Sequence, residues 1–459
     1  MRTNKAKGRT GLSHILAAAF LAAMAALAGC TIEDWNYTWT SHGIGVDYDG
    51  ELAFSLIEPN TGDFSSAGSA PRPRSGHASA VFKDKLWILG GYDPNARGDA
   101  SAYLADVWYS EDGYAWHAAT LDAPWKGRRG HQVVVFQDAL YLVGGYKVRV
   151  EGGISYGGAA NDVWRSADGV SWTEIKPNSY KTSVTHPGLA SSEDVRGIDL
   201  YDPADDQDWY PRLNHNLTVW DPDGSGPQGE RITLFGGFSK EWMPYLNDGN
   251  LDETRRYFAD FWTSADGISW VQQDPMSLSA ADETLFGRYK AGRAAAAHFI
   301  HNGDLYVSGG TSWFNFQEHS QGFVVPGWDR IWSRSAAGWS AAGPNNYEYI
   351  DRRGHKILEY EGNFWILPGS KPAAVQWYKG ADSIWKIAMN PSGGIMDIYL
   401  DGSYRAGSPM YGISDYAAEV FTPASGPDSG KTAMYVIGGD GDGGVRNTLW
   451  RITKSAEEE

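Results

Sequence analysis

Cysteine occurs once in the 459 residues, at Cys30. A single thiol cannot close an internal disulfide, form a CxxC redox pair or build a cysteine-rich zinc module. Positive charge is also scarce: 39 Lys and Arg stand against 56 Asp and Glu, a formal charge of −17. Without clustered cations to neutralise phosphates, a nucleic-acid partner is excluded. The apolar run Ile15–Ala28 is too short to cross ~30 Å of hydrocarbon as a helix. No HExxH occurs, and no convincing GxSxG, SxxK or phosphate-cradling glycine loop stands in the chain. Glycine (56), tryptophan (21) and aromatics as a class (14%) are plentiful. That balance implies a large core and strands joined by many tight turns.

The first thirty residues read as an export signal. Arg2, Lys5, Lys7 and Arg9 form a basic start, and Ile15–Ala28 follows as the apolar core of a signal peptide. The run ends in Leu27-Ala28-Gly29-Cys30, which resembles a bacterial lipobox. Cys30 is the only nucleophile there able to accept a diacylglycerol, so it is the expected lipidation site, and several acyl chains give stable anchoring. Thr31, rather than Asp, at the next position resembles an outer-membrane sorting signal. The chain is therefore expected to be exported and lipid-anchored, at the outer membrane. Loss of residues 1–29 removes four positive charges and takes the formal charge from −17 to −21. Such acidity keeps an exported chain soluble and offers anionic lipid no second contact.

Six copies of one unit fill the rest. Arg74 opens RSGHASAVFKDKLWILGGY and, after a loop, DVWYSEDGYAWH. Arg128 opens RRGHQVVVFQDALYLVGGY and then DVWRSADGVSWTEI. Arg212 opens a third copy (RLNHNLTVW, RITLFGGF, DFWTSADGISW). Arg293 opens a fourth with Gly309-Gly310, Trp332 and Trp339. Arg352 opens a fifth, in which Pro368 replaces the first glycine. The sixth is degenerate, with YVIGG at Tyr435–Gly439 and Trp450. Each unit reads as four strands. Strand a follows R-x-x-H, strand b is the alternating run ending in Gly-Gly, strand c carries D-x-W, and strand d carries a second Trp. Ser-x-Asp-Gly between c and d is turn chemistry, with Asp capping an Asx-turn and Gly left-handed.

This diglycine, the aromatic after it and the spaced Trp resemble the Kelch family over roughly residues 71–453. The resemblance implies an all-β fold, a six-bladed propeller of four-stranded antiparallel blades closed by an N-terminal strand. The expected division is a signal peptide at 1–29, a lipidated N-terminus with closing strand and linker at 30–70, and the propeller at 71–459. Copy six ends without a strand d. Trp35–Ser41, which carries the d-like Trp39, is the preferred clasp, with Glu51–Leu56 as the other candidate. The SxDGxxW stretch is also similar to the Asp-box of sialidases but one residue shorter, so it implies no sialidase activity.

Antiparallel order puts the d–a and b–c loops on one face, where the long insertions gather. Lys176–Tyr210 carries the acidic run DPADDQDWY. The b–c loops Ser239–Ala259 and Thr311–Gly327 are rich in aromatics. Trp242, Tyr245, Trp313, Phe314, Phe316 and, in blade 5, Trp377 suit stacking on sugars or gripping a protein. Arg74, Arg128, Arg212, Arg293 and Arg352 enter strand a on the same face. They are candidates to grip an anionic ligand. The opposing reading is intrablade pairing with Asp106, Asp162, Asp260, Asp329 and Asp382, which share their blades.

His77, His131, His215 and His355 recur three residues after an Arg and are expected to pack near the diglycine turns. Asp221–Gly226 and Gly438–Gly444 have faint calcium-loop character but lie where hairpins need turns anyway. No metal and no cofactor is expected. Kelch-type propellers include copper radical oxidases similar to galactose oxidase, which need a cysteine crosslinked to a ligand tyrosine. Cys30 lies outside the ring, which excludes that chemistry. The leading expectation is a monomeric, lipid-anchored propeller that binds a carbohydrate or protein through its d–a/b–c loop face. The competing one is a sugar mutarotase or epimerase resembling sialic acid epimerases, with no acid or base nominated.

Overall fold

Alternation within single strands distributes the side chains between neighbouring sheets. In Lys85–Tyr92, Leu86 and Ile88 pack with Tyr435 and Ile437, while Trp87 and Leu89 pack with Leu140 and Leu142. Successive residues of a strand point to opposite faces, so one strand supplies two cores. The same division recurs in Ala433–Ile437: Met434 and Val436 join one cluster, and Ala433, Tyr435 and Ile437 join the next. A strand buried on both faces has no polar side, which is why these runs read as continuous apolar segments.

The chain folds as a six-bladed β-propeller, and no helix is found among the described residues. The computed structural model describes residues 50–57, 71–96, 101–151, 154–178, 208–239, 243–244, 256–274, 292–311, 331–342, 352–370, 383–391, 393–403, 410, 412–441, 444–446 and 448–455. All lie in one compact unit, Val46–Glu459. Blade 1 is Ala78–Phe82, Lys85–Tyr92, Tyr103–Ser110 and His117–Thr120, each strand antiparallel to the next. Blade 2 is Gln132–Phe136, Ala139–Glu151, Ile154–Ser166 and Thr173–Lys176. Blade 3 is Asn216–Trp220, Arg231–Phe235, Phe261–Ser264 and Val271–Gln273. Blade 4 is Ala297–His301, Asp304–Ser308, Ile331–Ser335 and Gly338–Ala342. Blade 5 is Ile357–Tyr360, Asn363–Ile366, Ser383–Met389 and Ile395–Ser403.

Blade 6 takes Ala417–Phe421, Ala433–Ile437 and Leu449–Lys454 from the C-terminal end and Leu52–Ile57 from the N-terminal end. The register runs from Leu52 opposite Lys454 to Ile57 opposite Leu449. This corrects the preference for Trp35–Ser41 as the clasp: the outer position of blade 6 is held by the second candidate, and residues 35–41 lie outside those described. The side chains explain the fit. Leu52, Phe54 and Leu56 alternate onto the cluster of Trp450, Met434 and Trp365, while Ile57 turns to the cluster of blade 1.

The diglycines do more than turn the chain. The second glycine donates its N–H to the carbonyl of the arginine that opens the next blade, at 2.8 Å for Gly145 to Arg212 and Gly237 to Arg293. Gly310 to Arg352 and Gly439 to Arg74 are 2.9 Å. Gly236 has φ +65°, and a Cβ there would sit 2.6 Å from the Arg293 carbonyl oxygen. Side chains are thus excluded where adjacent blades touch through their backbones. The Ser-x-Asp-Gly turns behave as expected. Asp168 Oδ1 accepts from Val170 and Ser171 N–H at 2.8 and 2.7 Å, and Gly169 has φ +76°. The second Trp closes this turn, just ahead of strand d.

Candidate functional site

Each repeat arginine is at most 1% exposed. In blade 1, Arg74 donates two hydrogen bonds to Asp106, both 2.8 Å, and a third to the Gly90 carbonyl at 2.8 Å. Trp108 donates its indole N–H to the same carboxylate at 2.7 Å. Blade 2 repeats this with Arg128 and Trp164 on Asp162, and Lys147 adds a fourth donor at 2.7 Å. Blade 3 repeats it with Arg212 and Trp262 on Asp260. Bidentate guanidinium–carboxylate pairs are among the strongest protein hydrogen bonds. Burial opposes ionisation of Asp106 and Asp162, but the arginines outweigh it and hold both carboxyls below the usual range.

Arg, diglycine, Asp and Trp therefore form one latch inside each of these blades. In blade 5 the residue two before Trp385 is Ser383: its hydroxyl accepts the indole N–H at 3.0 Å, and its carbonyl accepts Arg352 at 2.9 Å. Arg293 donates to the Gly309 carbonyl. Asp329 and Asp382 lie outside the described residues. In blade 6 the arginine is replaced by Ile413, fully buried in an apolar cluster. All five arginines are buried, and in blades 1 to 3 the structure bears out the intrablade pairing rather than the anion-gripping alternative.

The four repeat histidines pack as expected. Cβ atoms built on Gly90, Gly144 and Gly438 would fall 2.9 to 3.1 Å from the Cε1 atoms of His131, His215 and His77. The rings of His131, His215 and His77 thus cover the diglycine of the preceding blade. Burial pushes His131 down to about 3 and lowers His77, His215 and His355 well below the ordinary value.

The residue two after each arginine position is left-handed in all six blades: Gly76, Gly130, Asn214, Ala295, Gly354 and Asp415, with φ between +50° and +64°. Their peptides link blade to blade. Gly76 N–H donates to Asp415, Gly130 to Gly76, Asn214 to Gly130, Ala295 to Asn214 and Gly354 to Ala295, at 2.7 to 2.8 Å. This belt rims a central channel of about 270 Å³ walled by strand a of every blade. Lys356, Glu419 and Asp415 all line that channel. Desolvation there lowers Lys356, against the pull of Glu419 and Asp415, and raises Glu419.

Among the described residues, the face with the d–a and b–c loops is built up from blades 1 to 3. Strands b and c of blade 2 extend as a hairpin out to Glu151 opposite Ile154. Met243–Pro244, from the b–c insertion of blade 3, pairs onto that hairpin at Gly157 and Tyr156. At its base Tyr92, Tyr103 and Tyr146 stand in a row, ring centres 5.1 and 5.6 Å apart. The Arg129 guanidinium lies over all three, at 4.8, 5.9 and 5.8 Å. Sequence reasoning missed this cluster, although Tyr92 and Tyr146 are the aromatics that follow two of the diglycines. Trp242, Tyr245, Trp313, Phe314, Phe316 and Trp377 all lie outside the described residues, as does Cys30. Of the acidic run before blade 3, Asp208 pairs with Lys176 at 2.7 Å, and Trp209 is buried against Trp270. Tyr210 stacks on Phe258. In the Asp221–Gly226 loop the carboxylates bind their own backbone: Gly226 N–H donates to Asp221 at 2.6 Å, and Ser225 N–H to Asp223 at 3.1 Å.

No family model matches the chain. Alpha-scruin of Limulus polyphemus is 34% identical over 80 residues, 17% of this chain and 8% of that protein. A leucine-zipper-like transcriptional regulator 1 homolog of Drosophila melanogaster is 48% identical over 42 residues, 9% of this chain and 4% of that protein. The chain thus spans less than a tenth of the length of these curated relatives. Among solved structures, that of YjhT is similar at a TM-score of 0.48 and 13% identity, covering 84% of this chain and 99% of that one.

Proposed function

We propose that this is a Kelch-type propeller, exported and anchored at the outer membrane by a lipid on Cys30, that binds a carbohydrate or protein on its d–a/b–c face. The observation that carries this reading is Arg129, half-buried with Tyr92 beside it, lying over the buried Tyr103 and Tyr146 that hold the pair in place. Arginine and tyrosine are side chains that dominate binding hot spots, and Arg129 and Tyr92 are the two members of the cluster that a ligand can reach. Among the described residues Arg129 has no carboxylate partner, in contrast to Arg74, Arg128 and Arg212. The Kelch reading is supported by the coincidence of each repeat with one four-stranded blade. With the clasp beginning at Leu52, residues 31–51 separate Cys30 from the ring, a span of at most ~70 Å if fully extended.

A sugar mutarotase or epimerase would want free arginines beside paired carboxylates at the mouth. The arginines of blades 1 to 3 are occupied, which favours binding over turnover. The soluble chain from Thr31 is to be screened on a glycan array, and the anchored protein is to be photo-crosslinked from position 95, an exposed site three residues from Tyr92. Retained glycans or a discrete protein adduct, weakened about tenfold in Arg129→Ala and Tyr92→Ala, is the expected result. Retention that survives both variants would refute the mouth as the site.

A further inference from the structure

Beyond the belt, the repeated histidines and Tyr416, which takes the histidine's place in blade 6, each blade contributes one polar side chain to the channel wall: Ser79, Gln132, Asn216, His298, Lys356 and Glu419. They lie four to six residues after the arginine position, roughly 7–13 Å of strand below the belt. The scaffold positions repeat around the ring, with arginine in five blades, histidine in four and a left-handed residue in six. The wall positions do not: six blades give six different residue types. A structural liner would be free to repeat as the latch does, whereas an unsymmetrical wall suits an unsymmetrical molecule.

The hydrogen bonds already made leave a defined set of open groups. Ser79 Oγ donates to Glu419 Oε1 at 2.6 Å. His298 Nδ1 faces Asn216 Oδ1 at 3.0 Å. Burial pushes His298 down to about 4, so the ring is neutral at pH 7 with its proton on Nδ1 and an open lone pair on Nε2. Asn216 is 4% exposed and orients the His298 ring through its Oδ1, while its Nδ2 is sealed from solvent beside Gly236. The wall then offers a donor at Lys356 Nζ and acceptors at His298 Nε2 and the second Glu419 oxygen. Gln132 supplies one of each.

Charge and size narrow the occupant. Lys356 faces both Glu419 and Asp415, so the channel has no surplus positive charge for phosphate or a dianion. A volume of about 270 Å³ lies just below the range of drug-sized pockets: it admits one sugar ring and excludes a peptide or a glycan chain. Hydroxyls both donate and accept, which matches a wall of mixed donors and acceptors. We propose that the central channel is a second binding site, for a neutral polyhydroxylated molecule of monosaccharide size, held by Gln132, His298, Lys356 and Glu419, with Asn216 orienting the histidine. It is separate from the mouth face, and either site can fail without the other.

The test is saturation-transfer NMR on the soluble chain from Thr31 with free glucose, galactose, mannose and N-acetylglucosamine. At least one sugar is expected to bind, and Lys356→Met and His298→Gln each to weaken it about tenfold or more, while Arg129→Ala leaves it unchanged. If Lys356→Met does not fold, Glu419→Gln and His298→Gln give the same reading. Saturation transfer to none of the sugars would overturn the inference, as would binding indifferent to all three channel variants. Binding lost only in Arg129→Ala would move the sugar to the mouth and also overturn it.

Discussion

Replacing Asp162 by Asn tests whether the repeat arginines hold blades. Asp162 and Arg128 are both 0% exposed, 2.8 Å apart, and the carboxylate accepts from Arg128, Lys147 and Trp164. The substitution keeps the shape but leaves the Arg128 charge buried without its counter-ion. Removing one member of such a pair costs about 3–5 kcal/mol. A chain this long shifts its melting temperature by about 1 °C per kcal/mol, so a fall of roughly 3–6 °C is expected, read by circular dichroism with a parallel urea titration. Because the fold holds Asp162 below its unfolded pKa, its contribution is present above about pH 4 and is lost as pH falls through the folded value. The difference between wild type and Asp162→Asn should therefore shrink in strong acid. Replacing both partners, Arg128→Met with Asp162→Leu, should recover most of the loss, since an apolar pair restores packing without a stranded charge. A single variant that melts within about 1 °C of wild type would refute the latch and return these arginines to the list of possible ligand contacts.

Deleting Glu51–Ile57 removes the outer strand of blade 6 and bares the edge of Leu449–Lys454. A fall of more than about 10 °C is expected, and an unchanged melt would sink the clasp. Burial keeps His77, His131, His215, His298 and His355 neutral in the fold. Their lowered pKa values mean that stability is full above the unfolded value near 6.5 and drains as pH falls below it. Glu419, raised by burial, acts in the opposite sense and trims the effect. The urea midpoint should drop between pH 7 and pH 5, and a flat midpoint would contradict buried neutral imidazoles. Cys30→Ser should release the protein from the membrane fraction and abolish acyl labelling, whereas membrane retention without labelling would argue for another anchor.

The repeat was legible because each of its signals is local. Gly-Gly, Ser-x-Asp-Gly and period-2 alternation act through backbone dihedrals and neighbouring strands, so they can be read without knowing what lies across the ring. The pairing of Arg with Asp was foreseeable from their joint absence in blade 6, but their depth was not. Whether an arginine faces solvent or a carboxylate depends on how far strand a sits inside the ring. The one-residue shift of Asp382 from its Trp is visible in the sequence, but that Ser383 takes the place of Asp in blade 5 is legible only once the register is known.

Sequence alone determined that the chain repeats six times as four-stranded units, that the copy lacking a fourth strand must borrow one, and that a lone cysteine follows a basic and then apolar start. Those conclusions rest on covalent order and local conformational preference. Only the tertiary structure decided which segment closes the ring, since the choice turned on Leu52, Phe54 and Leu56 alternating onto a cluster that residues from two other blades complete. It alone also brought Ser79, Gln132, Asn216, His298, Lys356 and Glu419 around one channel. They are spread over 340 residues of chain between Ser79 and Glu419, and ring closure places them together because each is near the start of an innermost strand.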